Sequence, residues 1–300
     1  MNRLPRGVIP PLVTPFAGEA FDRKAFVFNI QRYNKTALAG YLALGSNGEG
    51  VLQSDDDVIK VLEVAHEERA KEKWLIAGTG RESTRGTIEL TRRAAKAGAQ
   101  AVLVVPPSYF RGSMTDSALS SHYRAVADAS EVPVLLYHVP KFSPVTLTPR
   151  LILSLAEHPN IQGIKETSGD LTLFTSLLKD RPPSFRVYMG SANLFLAALV
   201  LGADGGILAL ANVAPKLCIA LMNYVEGGDL EKARELQTRL LPVNQAITTT
   251  YGVPGLKLAM DSLGYRGGES LRPLEPLTSK QAEDLASILK QARLRGAEEE

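Results

Sequence analysis

Short apolar runs alternate with longer amphipathic segments over roughly the first 210 residues of the chain. The short runs hold four to six residues each and are rich in branched and aromatic side chains, which is the pattern of buried strands. This pattern predicts eight strands. They cover residues 8–13, 41–44, 74–77, 101–105, 134–137, 161–165, 186–189 and 206–210.

The segments between these strands carry signals that begin and end helices. Ser54 and Ser83 each precede an apolar-periodic segment, and serine is a preferred helix cap. Gly98 and Gly202 stand where a helix gives way to the next strand. Eight strands, each followed by a helix, favour a closed barrel over an open doubly wound sheet. The predicted fold class is therefore α/β: a (β/α)₈ TIM barrel with a C-terminal helical appendage.

After residue 211 the pattern is helical only, over residues 215–224, 229–249, 255–263 and 279–294. It predicts a barrel core over 1–211, whose last helix runs to about residue 225, and a C-terminal helical region over 226–300. Because no low-complexity linker separates them, we expect the C-terminal helices to pack on the barrel.

Composition narrows the choice of ligand and compartment. The 34 basic and 32 acidic residues give a formal net charge of +2 and form no patch that would favour nucleic acid. No run approaches the ~20 apolar residues of a membrane span, and residues 1–6 lack the apolar core of a signal peptide. The single cysteine, Cys218, suits a reducing compartment. We expect a cytoplasmic protein that acts on a small molecule and has neither nucleic acid nor membrane as its partner.

Lys165 ends the predicted strand 161–165, at the edge of the barrel where active sites lie. Burial there disfavours the charged form of a lysine and frees its amine to attack a carbonyl carbon. A lysine at a strand end can also extend into solvent, so this residue alone leaves both interpretations open.

Three further positions bear on this interpretation. Tyr137 ends the preceding strand, where a phenol suits either proton relay or plain packing. Segment 45–50, Gly-Ser-Asn-Gly-Glu-Gly, exposes backbone N–H groups beside Ser46 and Asn47, and is either a carboxylate cradle or a simple turn. It lacks the lysine that ends a phosphate-binding loop. Tyr109, after the fourth strand, suits a core, rim or subunit contact.

The four histidines, at positions 66, 122, 138 and 158, show no metal-binding spacing. For each of them we expect a structural role. A metal-dependent aldolase is therefore disfavoured, and we expect no metal and no cofactor.

Segments 45–49, 137–140 and 163–166, read together, resemble the dihydrodipicolinate synthase and N-acetylneuraminate lyase family of pyruvate-dependent Schiff-base enzymes. The likeness covers nearly the whole chain. It implies that Lys165 is the Schiff-base lysine and that Tyr137 is the proton shuttle.

The same resemblance implies further roles. Ser46 would complete the proton relay together with Tyr109 reaching in from a neighbouring subunit, since homotetramers are usual in the family. Asn47 would bind the pyruvate carboxylate through its backbone amide, and Ile207 would line the site near it.

Within the family, the closest likeness is to 4-hydroxy-2-oxoglutarate aldolase, in the Gly-Ser-Asn-Gly-Glu cradle and in segments 109–112 and 251–257. Dihydrodipicolinate synthases tend to carry two threonines at positions 46–47 and an arginine, for the aspartate semialdehyde carboxylate, where this chain has Phe142. A phenyl ring cannot pair with a carboxylate, so synthase activity would require Lys141 or Arg111 to substitute. Sialic-acid lyases carry a glutamate after the seventh-strand glycine, where this chain has Ser191, which disfavours a long polyol substrate.

We therefore expect cleavage of 4-hydroxy-2-oxoglutarate to pyruvate and glyoxylate through a Lys165 imine. Thr167, Gly190 and Ser191 are candidates to contact the distal carboxylate. The alternative within the class is condensation of pyruvate with aspartate semialdehyde, the reaction of 4-hydroxy-tetrahydrodipicolinate synthase. Outside the class, the alternatives are a non-catalytic sensor of 2-oxo acids and a nucleotide-binding barrel with its phosphate site in the last two βα loops.

Overall fold

A closed barrel of eight parallel strands forms the centre of the computed structural model, which describes residues 3–294 and residue 296. The strands of the chain are β1 (Gly7–Ile9), β2 (Phe16–Ala17), β3 (Ala20–Phe21), β4 (Gly40–Ala43), β5 (Trp74–Gly78), β6 (Ala101–Val104), β7 (Val134–His138), β8 (Ile161–Glu166), β9 (Arg186–Met189) and β10 (Gly205–Ile207). The sheet order is β1-β10-β9-β8-β7-β6-β5-β4. A parallel bridge between Pro11 and Leu42 closes the ring, so the predicted TIM barrel is confirmed.

Helices surround the strands and continue past them. They are α1 (Arg23–Tyr33), α2 (Asp55–Glu68), α3 (Thr84–Lys96), α4 (Asp116–Ala129), α5 (Pro149–Ala156), α6 (Leu171–Asp180), α7 (Phe195–Leu201), α8 (Pro215–Glu226), α9 (Leu230–Gln245), α10 (Gly252–Ser262) and α11 (Ser279–Gln291). The side chain of Ser54 caps α2 and that of Ser83 caps α3, as the sequence predicts. Gly98 adopts a φ of +97° after α3. A Cβ there would lie 2.3 Å from the His66 ring, so the position requires glycine.

The predicted bounds of the first and last barrel strands are wrong. The first strand ends at Ile9, because Pro10 and Pro11 have no N–H to donate to a ladder. The last strand ends at Ile207 and is followed by a 3₁₀ helix over Ala209–Asn212. Asn212 stabilises that turn, since its Nδ2 donates to the carbonyls of Pro11 and Ala209 at 3.0 and 3.1 Å.

Two smaller features were not predicted. The strands β2 and β3 form a short antiparallel hairpin after the first barrel strand. The predicted helix 229–249 is divided, because α9 ends at Gln245 and a π-helix covers Ala246–Thr250.

The alternation of side chains along the strands divides the core in two. One apolar cluster fills the inside of the barrel, and the larger one lies between the sheet and the helices. Along β8, Ile164 belongs to the outer cluster, so Lys165 points to the inside. Tyr137 belongs to the inner cluster and is the register partner of Lys165. The strand pattern alone thus brings these two side chains to the same end of the barrel.

The C-terminal helices pack against the barrel. The buried Lys257 of α10 donates to the carbonyl of Thr14, which follows the first strand. The division of the chain at residue 226 stays a prediction. Within the described part of the chain, no helix combines the length and apolar character that crossing a bilayer would require.

Candidate active site

A cavity of about 170 Å³ opens at the carboxyl ends of the barrel strands. Eight of the nine predicted site residues line it; only Tyr109 does not. The eight are Ser46, Asn47, Tyr137, Lys165, Thr167, Gly190, Ser191 and Ile207. The volume lies below the roughly 300–1,000 Å³ of pockets for drug-sized ligands, so the cavity suits a small substrate.

Lys165 is the buried amine of this cavity. Its side chain is 5 % exposed, and its Nζ donates to Tyr137 Oη at 3.4 Å. The same Nζ lies 4.4 Å from the centroid of the Tyr137 ring. An amine in this position faces a small enclosed space and has a phenol within reach for proton transfer.

Ser46 extends this pair into a series of three groups. Its Oγ lies 3.4 Å from Tyr137 Oη, and either hydroxyl can be the donor. Ser46 begins a 3₁₀ helix, Ser46–Gly48, within segment 45–50, the predicted carboxylate cradle. The serine, tyrosine and lysine therefore offer a path along which a proton can move between the cradle and the amine.

The backbone at the end of the cradle requires glycine at position 50. A Cβ at Gly50 would lie 2.3 Å from the Leu44 carbonyl oxygen. The carbonyl of Gly48 is held from two sides, by Thr14 Oγ1 at 2.9 Å and Gln53 Nε2 at 2.7 Å. The cradle is therefore fixed before any ligand arrives, as preorganised binding requires.

A buried ion pair ties the cradle to the C-terminal helices. Lys257 Nζ lies 2.5 Å from Glu49 Oε1, and both side chains are at most 2 % exposed. The second oxygen of Glu49 accepts from Leu271 N at 2.7 Å. Burial lowers the pKa of Lys257, and the Glu49 carboxylate opposes that shift. Sequence analysis noted both segments but had no signal that joins them, because the pair connects distant parts of the chain.

A second buried pair lies directly beside the catalytic candidates. His138 follows Tyr137, Glu166 follows Lys165, and His138 Nδ1 lies 2.8 Å from Glu166 Oε1. Glu166 also accepts from the backbone N of Ser168. Since these residues are register partners across β7 and β8, their contact holds the two strand ends together.

The other end of the cavity is polar. Thr167 Oγ1 is buried and has no hydrogen-bond partner among the described residues. A Cβ at Gly190 would lie 2.0 Å from that hydroxyl, so glycine leaves the space that Thr167 occupies. Buried polar atoms are normally satisfied, and an unpartnered hydroxyl in a cavity wall is available to a ligand.

Part of the wall was missed by sequence analysis. Asn244 of α9 and Thr248 of the π-helix line the cavity from the C-terminal helices. Irregular helical turns of this kind are frequent at functional sites. An interrupted apolar period after residue 245 was the available signal, but a continuous helix explains the same residues equally well.

Tyr109 lies apart from these groups. Its ring is 80 % exposed and packs edge-on against Phe110, with 5.0 Å between the centroids. Its backbone N donates to Glu82 at 2.9 Å, which fixes the loop after β6. Its relay role stays a prediction that depends on a second copy of the chain.

Three of the four histidines, His122, His138 and His158, make side-chain hydrogen bonds to other elements. His122 Nδ1 lies 2.9 Å from Thr84 Oγ1, and burial lowers the pKa of His122 to about 4. His158 Nε2 lies 3.0 Å from Asp128 Oδ1. Among the residues that the structure describes, no group of three or more His, Cys, Asp or Glu side chains is arranged to hold a metal ion.

An eight-stranded barrel with a buried amine in its mouth has the arrangement that a Schiff-base aldolase requires. The model of the dihydrodipicolinate synthetase family matches residues 4–292, and the chain belongs to this family. It is accordingly a class I aldolase or lyase, an enzyme of a pyruvate-dependent family that uses a lysine Schiff base without a metal cofactor.

Curated relatives and solved structures agree with this assignment. A 4-hydroxy-tetrahydrodipicolinate synthase from Exiguobacterium sp. is 35% identical over 286 residues, which are 95% of this chain and 97% of the relative. One from Hyphomonas neptunium is 36% identical over 270 residues, 89% and 92% of the two chains. The structure of a prophage protein of the dihydrodipicolinic acid synthase family from E. coli K12, in complex with pyruvate, has a TM-score of 0.91 at 30% identity and covers 96% and 99% of the two chains.

The names of these relatives bear on the predicted subgroup. They are synthases, not 4-hydroxy-2-oxoglutarate aldolases. The comparisons therefore support the family and leave the expected closeness to the aldolase subgroup without support.

Proposed function

We propose that Lys165 attacks the 2-oxo carbon of pyruvate, or of a substrate that contains a pyruvate unit. The carbinolamine loses water with a proton supplied by Tyr137, and the resulting iminium withdraws electrons from the neighbouring carbons. In cleavage of 4-hydroxy-2-oxoglutarate, the 4-hydroxyl loses its proton, the C3–C4 bond breaks and glyoxylate departs. The enamine left on Lys165 is then protonated and hydrolysed to pyruvate. The observation that carries this proposal is the buried contact of 3.4 Å between Lys165 Nζ and Tyr137 Oη.

The cradle supplies the site for the pyruvate carboxylate. The backbone amide of Asn47 belongs to the short helix Ser46–Gly48, whose first N–H groups have no partner within one turn. Ile207, fully buried, provides an apolar surface beside it. In this assignment, the carboxylate binds to the backbone and the oxo carbon faces Lys165.

For the second substrate, the residues of the pocket favour glyoxylate, released from 4-hydroxy-2-oxoglutarate. Phe142 lies at the cavity wall, where synthases tend to place an arginine, and the described lining residues include no arginine. Thr167 and Ser191 line the same cavity, and their hydroxyls support the proposal that it binds a distal carboxylate. Glyoxylate is also among the smallest aldehydes with a carboxylate, in keeping with the small cavity.

The names of the relatives favour the other candidate, condensation of pyruvate with aspartate semialdehyde. We give the pocket residues more weight, because specificity depends on the groups that touch the substrate and not on the shared fold. The two candidates share the imine with pyruvate and differ only in the aldehyde.

Trapping with borohydride tests the imine. Enzyme treated with pyruvate and borohydride should gain the mass of one reduced imine, located at Lys165 by peptide mapping. The Lys165→Met variant should gain none, and Lys280→Met, which removes an exposed lysine, should react like the wild type. An unmodified Lys165 would contradict the enzyme proposal and leave the sensor interpretation.

Parallel assays separate the two reactions. We expect release of glyoxylate from 4-hydroxy-2-oxoglutarate to have the higher kcat/KM. A semialdehyde condensation that is faster by about tenfold or more, a barrier difference of roughly 1.4 kcal/mol, would reverse the order of the candidates.

We further propose that the working enzyme is a homotetramer. The exposed Tyr109 and Phe110 rings and the exposed Val51 form apolar surface at the same end of the barrel as the cradle. Exposed aromatic groups of this kind are enriched at protein interfaces.

A further inference from the structure

Lys141 is a cation at the mouth of the cavity that the proposed chemistry does not use. It follows β7 in the loop that carries Phe142, it lines the cavity, and its side chain is exposed. Its Nζ donates to the carbonyl of Thr248 at 2.8 Å. Among the described residues, this ammonium has a neutral hydrogen-bond partner and no carboxylate in an ion pair.

The charged residues of the cavity wall are all basic among those that the structure describes. The described residues that line the cavity include two lysines, Lys141 and Lys165, and no aspartate or glutamate. A substrate with two carboxylates matches such a wall, because the cradle binds one carboxylate and a second cation is left for the other. Lys165 cannot fill that role, since its nitrogen becomes part of the imine.

The structure also distinguishes between Lys141 and Arg111, the two cations that could take the place of the arginine absent at position 142. Arg111 begins a 3₁₀ helix in the loop after β6 and does not line the cavity. Phe142 is 58 % exposed, and its ring centroid lies 5.4 Å from Lys141 Nζ. The amine of Lys141 therefore lies near the Phe142 ring and is held at the mouth by the Thr248 carbonyl.

We propose that Lys141 determines specificity by binding the distal carboxylate of the second substrate. On binding, its ammonium exchanges the neutral Thr248 carbonyl for a carboxylate, and hydrogen bonds between two charged groups are the stronger kind. Thr248 holds the amine at the cavity mouth in the free enzyme, so little side-chain order has to be created when the substrate arrives. This inference rests on the proposed function, because it concerns the carboxylate of the substrate that the Lys165 imine attacks or releases.

The test compares 4-hydroxy-2-oxoglutarate with 4-hydroxy-2-oxopentanoate, which has a methyl group in place of the distal carboxylate. In Lys141→Met, we expect kcat/KM for the carboxylated substrate to fall about 10- to 100-fold, the value of a hydrogen bond to a charged group. The methyl analogue should change by less than about threefold. Lys141→Arg should recover most of the loss, and Lys280→Met is the matched control for loss of an exposed lysine.

Borohydride trapping with pyruvate separates failure of this inference from failure of the proposed function. Lys141→Met should form the Lys165 imine as the wild type does. A kcat/KM for the carboxylated substrate within threefold of wild type, or an equal fall for both substrates, would overturn the role of Lys141. Failure of the wild-type enzyme to form the imine would overturn both proposals.

If the imine forms but 4-hydroxy-2-oxoglutarate is not cleaved, the same variants are assayed with pyruvate and aspartate semialdehyde, which also carries a carboxylate. Loss of that reaction in Lys141→Met with recovery in Lys141→Arg supports the proposal, and unchanged kinetics rejects it.

Discussion

Tyr137 stands between two other polar groups of the site, with 3.4 Å to Lys165 Nζ on one side and 3.4 Å to Ser46 Oγ on the other. Removing its hydroxyl should slow every proton transfer at the imine. We expect Tyr137→Phe to lower kcat about 10²- to 10⁴-fold, as for loss of a general acid or base. Ser46→Ala, one group further away, should lower kcat less.

Steady-state kinetics and the rate of borohydride trapping measure these effects. Tyr224→Phe, on the outer helix α8, is the control and should leave both unchanged. A Tyr137→Phe enzyme with wild-type kcat would exclude the relay.

His122 gives a prediction for stability against pH. Burial lowers the pKa of His122 from 6.5 to about 4, so the unfolded chain binds its proton more readily than the folded chain. The contribution of His122 to the free energy of unfolding is complete above its pKa in the unfolded chain. It is lost as the pH falls from about 6.5 towards 4. When the pH falls from 7 to 5, the titration of His122 should lower the free energy of unfolding by about 2 kcal/mol.

Urea unfolding of the wild type and of His122→Gln at both pH values measures this difference. The variant should lose less stability than the wild type on acidification, since it has no imidazole to protonate. Equal losses in the two proteins would show that His122 does not titrate as its burial implies.

Single residues could be predicted from the sequence where their position at or just after a strand end, or in a glycine-rich loop, carries information. Lys165 and Tyr137 end predicted strands, and parallel strands bring their carboxyl ends together, so both could be found. Lys141 was noted only as a possible substitute, because its position relative to the cavity depends on the path of the loop after β7. Thr167 was chosen for its position, but its missing hydrogen-bond partner is visible only in three dimensions.

At the scale of the elements, the junction between β9 and the 3₁₀ helix over Ala192–Leu194 depends on Gly190. A methyl group there would lie 2.0 Å from Thr167 Oγ1. We expect Gly190→Ala to displace the hydroxyl and to destabilise the protein by about 1–3 kcal/mol, the usual cost of overpacking.

The larger effect should be on substrate binding. KM for the substrate with a distal carboxylate should rise about tenfold, the loss of one hydrogen bond to a charged group. Gly112→Ala is the matched control, since its added Cβ meets nothing within 4 Å. A normal KM in Gly190→Ala would exclude Thr167 from the binding site.

The strands and most helices could be predicted because apolar periodicity and caps are local properties. Their ends were less predictable: the turn after Ile207 is stabilised by the contact of Asn212 with Pro11, which lies about 200 residues away in sequence. The π-helix Ala246–Thr250 could not be told from a continuous helix, since five residues are too few to show a period of their own.

The whole molecule is joined across its length by Lys257 and Glu49. Lys257→Met leaves a buried carboxylate without its cation, which typically costs about 3–5 kcal/mol. Replacing both residues, in Glu49→Leu with Lys257→Met, removes the unpaired charge and should recover part of that stability. Chemical denaturation of Lys257→Met, of Glu49→Leu and of the double variant gives the coupling energy, and a Lys257→Met variant within about 1 kcal/mol of wild type would contradict a structural role for the pair.

Mixing experiments test whether Tyr109 acts across subunits. Lys165→Met lacks the amine but keeps Tyr109, and Tyr109→Phe has the reverse combination. If the relay is shared between copies, mixed oligomers should regain part of the activity that each variant lacks. Lys165→Met mixed with Tyr137→Phe is the control, because both groups belong to one chain's cavity and should show no recovery. Equal behaviour of the two mixtures would exclude a shared relay.

The fold and the general position of the site could be predicted from the sequence, whereas contacts between distant segments could not. Segment 45–50 shows that limit: its glycines indicate a cradle, but its anchor at Lys257 depends on the packing of α10. The assembly state depends on surfaces that carry no period, and it stays a proposal.

The Glu49–Lys257 pair also has a consequence for the nascent chain. The cradle leaves the ribosome early, but its anchor is made roughly 200 residues later, which takes on the order of 10–40 s at ordinary rates of synthesis. Until Lys257 has been synthesised, the Glu49 carboxylate lacks its ion-pair partner, and the proposed substrate-binding loop is not fixed. We therefore expect the enzyme to acquire activity only as its synthesis ends, so incomplete chains released before α10 should be inactive even where their barrel has formed.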